Sequence, residues 1–303
     1  MKTAFRTLAL SLLVIASPAL SAPKPLVVAT IKPLALIARD LLGDGAEVRQ
    51  LLPDNASPHA HALRLSERQL LARAELVLWV GPGLETFLAE TLRAKPAQQV
   101  LTAATLPGIH WPAASHRPGA SAAADDQGHD HDADLHLWLD PRNAVAIAAA
   151  LVAALDARGY PSPPTAAVDF RARMTRLEAD IGARLAAAPE RIFAADHEAF
   201  GHFAARFGLT PAGHLRDAAD HATGARSLAT LTARTDIRCL IAEPDSKPER
   251  IHHLAERLGA RLQVVDALGA GIPASQQGDS YARLLDTVAR DFAVCLGAPS
   301  PSH

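Results

Sequence analysis

Three histidines and four aspartates fall within the fourteen residues Gly128–Pro141, GHDHDADLHLWLDP. Imidazole nitrogens and carboxylate oxygens are donors for a borderline divalent cation, so metal binding is the chemistry this stretch raises first. The same density fits a loose chelating loop or a merely solvated one. Its flanks divide it. Residues 112–134 carry no apolar period, are rich in Ala, Ser, Pro, Gly and Asp, and read as a mobile surface loop. His116, His129 and His131 belong to that loop and His110 borders it. His136 differs, because it sits inside LHLWLDP, an apolar run that reads as a strand or turn entering the interior.

Other donors lie just past strand-like runs. LPDNASPHAH follows Val48–Leu52 and brings His59 and His61; Arg191–Ala195 runs into Asp196 and His197; Leu262–Val265 runs into Asp266. Ligands of open α/β sheets bind beyond the carboxyl ends of strands, so a crevice between two lobes could gather these groups. His59, His136, His197 and Asp266 would make a tetrahedral N/O set suited to Zn²⁺. They stand 77, 61 and 69 residues apart, so nothing local defines the site. Any one of these histidines alone is more often a surface or hydrogen-bonded residue. HEAFGH (His197–His202) is not a zincin helix. Its histidines are five apart, which turns the second imidazole by about 140° relative to the first. Glu198 therefore receives no catalytic role. His202, His252 and His253 read as plain helix residues, His214 as crevice wall and His221 as loop.

The elements that must position these donors alternate. LVVAT (Leu26–Thr30), Val48–Leu52 and Leu76–Val80 are strand candidates with helical spacing between them, and the alternation returns at Arg191–Ala195, Cys239–Ala242 and Leu262–Val265. Such alternation predicts parallel sheets covered on both faces, hence an α/β fold. Asn143–Ala157 is Ala-rich and helical. Beyond the break at Gly159–Pro164, Phe170, Met174, Leu177, Ile181 and Leu185 form one apolar stripe. This predicts a helix of about 25 residues, roughly 37 Å long, either a strut between lobes or an ordinary helix of the second.

The amino terminus, MKTAFRTLALSLLVIASPALSA, has basic residues, a short apolar run and small residues near Ala22, the layout of a cleaved secretory signal peptide. Domain expectations follow: 1–22 signal peptide, 23–160 first lobe, 161–188 linker helix, 189–303 second lobe. A net charge of -2 leaves no electrostatic footprint for nucleic acid. In an exported chain Cys239 and Cys295 favour pairing, closing a loop of about 57 residues worth on the order of 4 kcal/mol; two buried free thiols are the alternative. No CxxC spacing suggests a cysteine zinc site.

With IKPLALIA (Ile31–Ala38), LLPDNASPHAHALRLS (Leu51–Ser66), VLWVGPGLETFL (Val77–Leu88), HLWLDP (His136–Pro141), HEAFGHFAARFGLTPAGH (His197–His214), AEP (Ala242–Pro244), LGAGI (Leu268–Ile272) and GDSYARLL (Gly278–Leu285) in this order, the chain resembles the solute-binding proteins of zinc-uptake ABC transporters. The resemblance covers nearly the whole mature chain. It implies two Rossmann-like lobes joined by a rigid helix, with metal in the cleft between them. It implies His59, His136 and His197 as ligands, and Asp266 where manganese-type members place a carboxylate. His61 is implied as a supporting group or a substitute ligand, and the acidic, histidine-rich loop is a zinc-type feature; His116, His129 and His131 in it are auxiliary metal candidates beside the reading of a merely solvated loop. A Cys239–Cys295 disulfide matches zinc-type members. The implied partners are a membrane permease with its ATPase, with a periplasmic zinc chaperone as a further candidate, and the implied form is a periplasmic monomer.

Zinc rather than manganese or iron rests on His197, where manganese-type members place a carboxylate; imidazole suits the borderline ion. A closed four-ligand site captures and delivers its metal. Three histidines with water would instead resemble a catalytic zinc, so a secreted zinc hydrolase is the competing class. A surface adhesin built on the same lobes is a third. The expectation is a carrier, not an enzyme.

Overall fold

The structure, a computed structural model, describes residues 24–54, 56–113, 133–273 and 278–298. The expected signal peptide and the loop histidines His116, His129 and His131 lie outside the described residues.

The first lobe holds β1 (Leu26–Ala29), α1 (Lys32–Leu42), β2 (Glu47–Gln50), α2 (Leu65–Arg73), β3 (Leu76–Trp79), α3 (Ala89–Arg93), β4 (Val100–Thr102) and α4 (Pro141–Asp156). Helix α5 (Ala166–Ala186) follows. The second lobe holds β5 (Ile192–His197), α6 (Gly201–Phe207), β6 (Thr210–Arg216), α7 (Ala225–Thr232), β7 (Cys239–Ala242), α8 (Pro248–Leu258), β8 (Arg261–Val264) and α9 (Ser280–Cys295). Each lobe has one four-stranded parallel sheet, ordered β2-β1-β3-β4 and β6-β5-β7-β8. The lobes therefore share one topology, with the crossover direction reversing between β1 and β3 and again between β5 and β7.

Local sequence explains the elements. The central strands LVLW and CLIA are buried along their whole length, as parallel strands covered on both faces require. Helix α4 starts on Asp140, whose side chain accepts the Arg142 N–H, with Pro141 in its first turn. Helix α8 stops at Gly259 and α6 at Gly208, both at left-handed φ. Strands β4 and β6 were not among the sequence-based candidates. Both are edges, β4 is three residues long, and β6 contains Pro211 and Gly213, which an edge tolerates and a central strand does not. The apolar run before Pro141 forms not a strand but a 3-10 turn, Leu137–Leu139, directly after His136.

The core does not respect the lobe boundary. One continuous cluster joins Val27, Leu78 and Trp138 of the first lobe to Phe170 and Ile181 of α5 and to Phe193, Ile241 and Phe292 of the second. A smaller cluster, with Ala194, Leu240, Leu254 and Leu258, covers the other face of the second sheet. Alternation along β5 and β7 sends Phe193 and Ile241 to one cluster and Ala194 and Leu240 to the other, which is the period of two. Polar links also cross the boundary: Trp138 Nε1 donates to the Ala267 carbonyl at 2.8 Å, and Tyr281 N–H donates to Asp40 Oδ2 at 2.8 Å. The Cys239–Cys295 disulfide fastens β7 to the end of α9.

Candidate metal centre

Three histidines converge in the cleft. His197 is the last residue of β5, at the carboxyl end of a strand flanking the crossover reversal of the second sheet. His136 precedes the 3-10 turn that leads into α4, and His59 stands in the irregular segment after β2. Ring centroids are 5.5 Å apart for His59–His136, 5.1 Å for His59–His197 and 4.9 Å for His136–His197. One ligand nitrogen from each lies within 4.8 Å of the others. Small side-chain rotations from there reach Zn–N distances of about 2.0–2.1 Å.

Hydrogen bonds select which nitrogens face the centre. His136 Nδ1 bonds Asp134 Oδ1 at 2.8 Å and His197 Nδ1 bonds Glu243 Oε2 at 2.7 Å. Each carboxylate holds a proton on Nδ1 and leaves Nε2 bare, the arrangement that supports a metal-ligating imidazole. The Nε2 atoms of His59 and His197 are buried without a hydrogen-bond partner among the described residues. Buried orphan acceptors of this kind are expensive unless something binds them, and a cation does so. His59 has no carboxylate behind it among the described residues.

The electrostatics act on the rings in opposite directions. Burial, then the neighbouring His136 and His197, then Arg216, push the His59 pKa down to about 3. For His197, burial opposes protonation, but the hydrogen bond and charge of Glu243 outweigh it and raise the pKa. Burial would likewise push the Asp134 carboxyl up, yet its bond to His136 and the charge there hold it well below the ordinary range. Arg216, delivered by β6, lines the same cavity. Its Nη2 lies 2.8 Å from Asp196 Oδ2, and its Nη1 lies 2.5 Å from Asp220 Oδ1. The cavity encloses about 360 Å³, room for the ion and several waters.

Asp266 lines this cavity but does not join the histidine cluster. Its carboxylate accepts the N–H groups of Leu268 at 3.0 Å, Gly269 at 2.8 Å and Ala270 at 2.6 Å. Three charge-assisted bonds tie it to its own turn, and ligation would have to compete with them. His61 also turns elsewhere: Nε2 meets Glu67 Oε2 at 3.0 Å and its ring packs edge-on to Phe87. His214 lies 3.4 Å from Glu198 rather than on the cavity wall. Glu198 itself is pushed up to about 7 by burial, then by Asp134 and Asp217.

Sequence reasoning missed the residues that orient these histidines. Asp134 lay in view, two positions before His136. Glu243 lay inside AEP, directly after a strand, where the argument that selected His197 would have found it. His202, read as a plain helix residue, is fully buried.

Two parallel-sheet lobes on a shared core, with metal donors meeting from both, define a metal-binding solute-binding protein. Residues 27–295 match the family described as "Zinc-uptake complex component A periplasmic", ZnuA. The chain belongs to that family. It is 30% identical to the high-affinity zinc uptake system protein ZnuA of Haemophilus ducreyi over 290 residues, 89% of this chain and 93% of the relative. It is 29% identical to the protein of that name from Yersinia pestis, over 89% of this chain and 91% of the relative. Among solved structures, a zinc-bound ZnuA deletion mutant superposes with a TM-score of 0.73 at 22% identity, covering 92% of this chain and all of that one, which shows the shared fold.

Proposed function

We propose that His59, His136 and His197 hold one Zn²⁺ between the lobes, and that the protein captures zinc in the periplasm and hands it to an ABC permease driven by its ATPase. The carrying observation is the convergence, from both lobes, of three imidazoles whose ring nitrogens stand close enough to share an ion. Two of them are propped by carboxylates, one buried (Asp134) and one half-buried (Glu243), and the bare Nε2 atoms of His59 and His197 have no hydrogen-bond partner among the described residues. An all-imidazole donor set suits zinc better than manganese. The fourth position goes to water while Asp266 holds its turn. The mature carrier acts as a monomer after removal of residues 1–22, and a periplasmic chaperone is a further source of its metal.

A three-histidine zinc with bound water is also the arrangement of hydrolytic and hydrating enzymes, so the carrier reading needs a direct contrast. Metal analysis of the purified mature protein beside His59→Ala, His136→Ala and His197→Ala tests it. One zinc per chain, reduced in every variant, with no ester or CO₂ turnover by the loaded protein, is the expected result. Full zinc retention in any variant removes that residue from the ligand set, and turnover abolished by the same substitutions replaces transport with catalysis. No helix among the described residues is long and apolar enough to cross a membrane, in keeping with a carrier that meets its permease at the membrane face.

A further inference from the structure

Asp134 reaches in two directions at once. Its Oδ1 accepts the backbone N–H of His136 at 2.9 Å and faces ring Nδ1 at 2.8 Å. Its Oδ2 accepts the N–H of Gly201 at 2.8 Å, the first residue of α6 in the other lobe and four positions past His197. Its main-chain carbonyl accepts His202 Nε2–H at 2.8 Å. The other nitrogen of that ring, Nδ1, lies 3.3 Å from Asn143 Nδ2, which also donates to the Leu137 carbonyl at 3.0 Å. Thus Asp134 and Asn143 of one lobe bond the consecutive residues Gly201 and His202 of the other, and His136 and Leu137 hang from that pair by their own bonds to Asp134 and Asn143. The fit leaves no slack: a Cβ on Gly201 would sit 2.6 Å from Asp134 Oδ2.

We propose that Asp134 is a positioning residue that sets the separation of His136 and His197 before any ion arrives. Through Oδ1 it fixes the tautomer and aim of one ligand. Through Oδ2 and its carbonyl it clamps that ligand to the segment carrying the other. The metal then completes a preset pair and draws in His59, which no clamp restrains, so the cost of ordering falls on one ligand alone. Gly201 is required because any side chain there displaces the carboxylate. The proposal rests on His136 and His197 being ligands.

The test measures zinc affinity by chelator competition and the absorption spectrum of the Co²⁺-substituted protein, for Asp134→Asn, Asp134→Ala, Gly201→Ala and the control His136→Ala. Partners that orient a ligand are worth about 10–100-fold in metal affinity. Asp134→Ala and Gly201→Ala are each expected to lose that much and to shift the cobalt bands. Asp134→Asn keeps an acceptor for His136 but sets an amide against the Gly201 N–H, and is expected to fall between wild type and Asp134→Ala. Alanine favours a helix more than glycine does, so weakening of α6 cannot account for a loss in Gly201→Ala. If Gly201→Ala and Asp134→Asn, both folded by circular dichroism, bind zinc and cobalt as the wild type does while His136→Ala loses zinc, the clamp is refuted and the ligand set stands. If His136→Ala retains zinc, the ligand reading itself fails.

Discussion

The crossover reversal of each sheet holds a carboxylate, and the two lobes use it in opposite ways. In the second lobe β5 ends at His197 and β7 runs into Glu243, whose carboxylate props the imidazole at the cleft. In the first lobe Thr30 follows β1, and Glu85 comes in the loop after β3. Glu85 Oε2 accepts the N–H groups of Val80 at 2.9 Å and Gly81 at 3.0 Å, and Oε1 is hydrogen-bonded to the Thr30 hydroxyl. Glu85 is completely buried, and burial raises its pKa to about 7 against those bonds. One reversal is thus plugged by the lobe's own side chains, while the other is left open to a cation. The lesson is that a shared topology supplies a place for a ligand and the residue at the strand end decides whether it is used. The plugged lobe sends His59 and His136 toward the cleft from irregular segments instead.

The largest effects should come from the ligands. His136→Ala and His197→Ala should each lower zinc affinity by more than the roughly 100-fold that a supporting partner commands. His59→Ala should cost less, because its segment has no carboxylate support and water can take the vacated position. Chelator competition ranks the three, and a greater loss for His59→Ala would break the distinction between histidines propped by a carboxylate and the one that is not. Next is the disulfide, which exists in the second lobe. Cys239→Ser with Cys295→Ser should cost about 4 kcal/mol for the loop of 56-residue separation. Denaturant titration measures it, and hydrogen exchange should locate the loss around β7 and α9.

Glu85 offers a pH test of the plugged reversal. Its folded pKa lies above its unfolded value, so its contribution is fully present below about pH 4.5 and is lost as pH rises through about 7. The change is on the order of 3 kcal/mol. Glu85→Gln keeps a neutral group with two acceptor bonds and one donor, and should flatten that segment of the stability–pH curve; an unchanged slope would show that Glu85 is charged in the fold. Glu243→Gln should weaken zinc by about 10–100-fold, since a neutral amide supports the His197 ring less than a carboxylate. The smallest effect belongs to Asp266→Asn. The amide retains one acceptor for the turn, and zinc affinity should change by less than about 10-fold. A loss as large as that of His197→Ala would make Asp266 a ligand after all.

Much of the fold was legible because its signals are local. Buried strands such as LVLW and CLIA stand out between helical patterns, and the apolar stripe Phe170, Met174, Ile181 and Leu185 is buried in α5. Strands β4 and β6 were not legible, because β4 is only three residues long and β6 carries Pro and Gly, which an edge position tolerates. The site was partly legible through one rule, that donors follow strands. The rule picked out His59 and His197, which lie close to His136 of the apolar run LHLWLDP. It also admitted Asp266, because position after a strand says nothing about which backbone N–H groups will occupy a carboxylate.

The sequence by itself determined the α/β alternation, the donor types and the chemistry of an imidazole set. Only the tertiary structure decided which of the described histidines meet, since the three that do among them stand 61 and 77 residues apart. It alone also showed that Asp134 and Glu243 aim them while Asp266 and His61 are spent on their own neighbours. Donor chemistry belongs to a residue, but coordination depends on distances that only the packed core between the lobes can set.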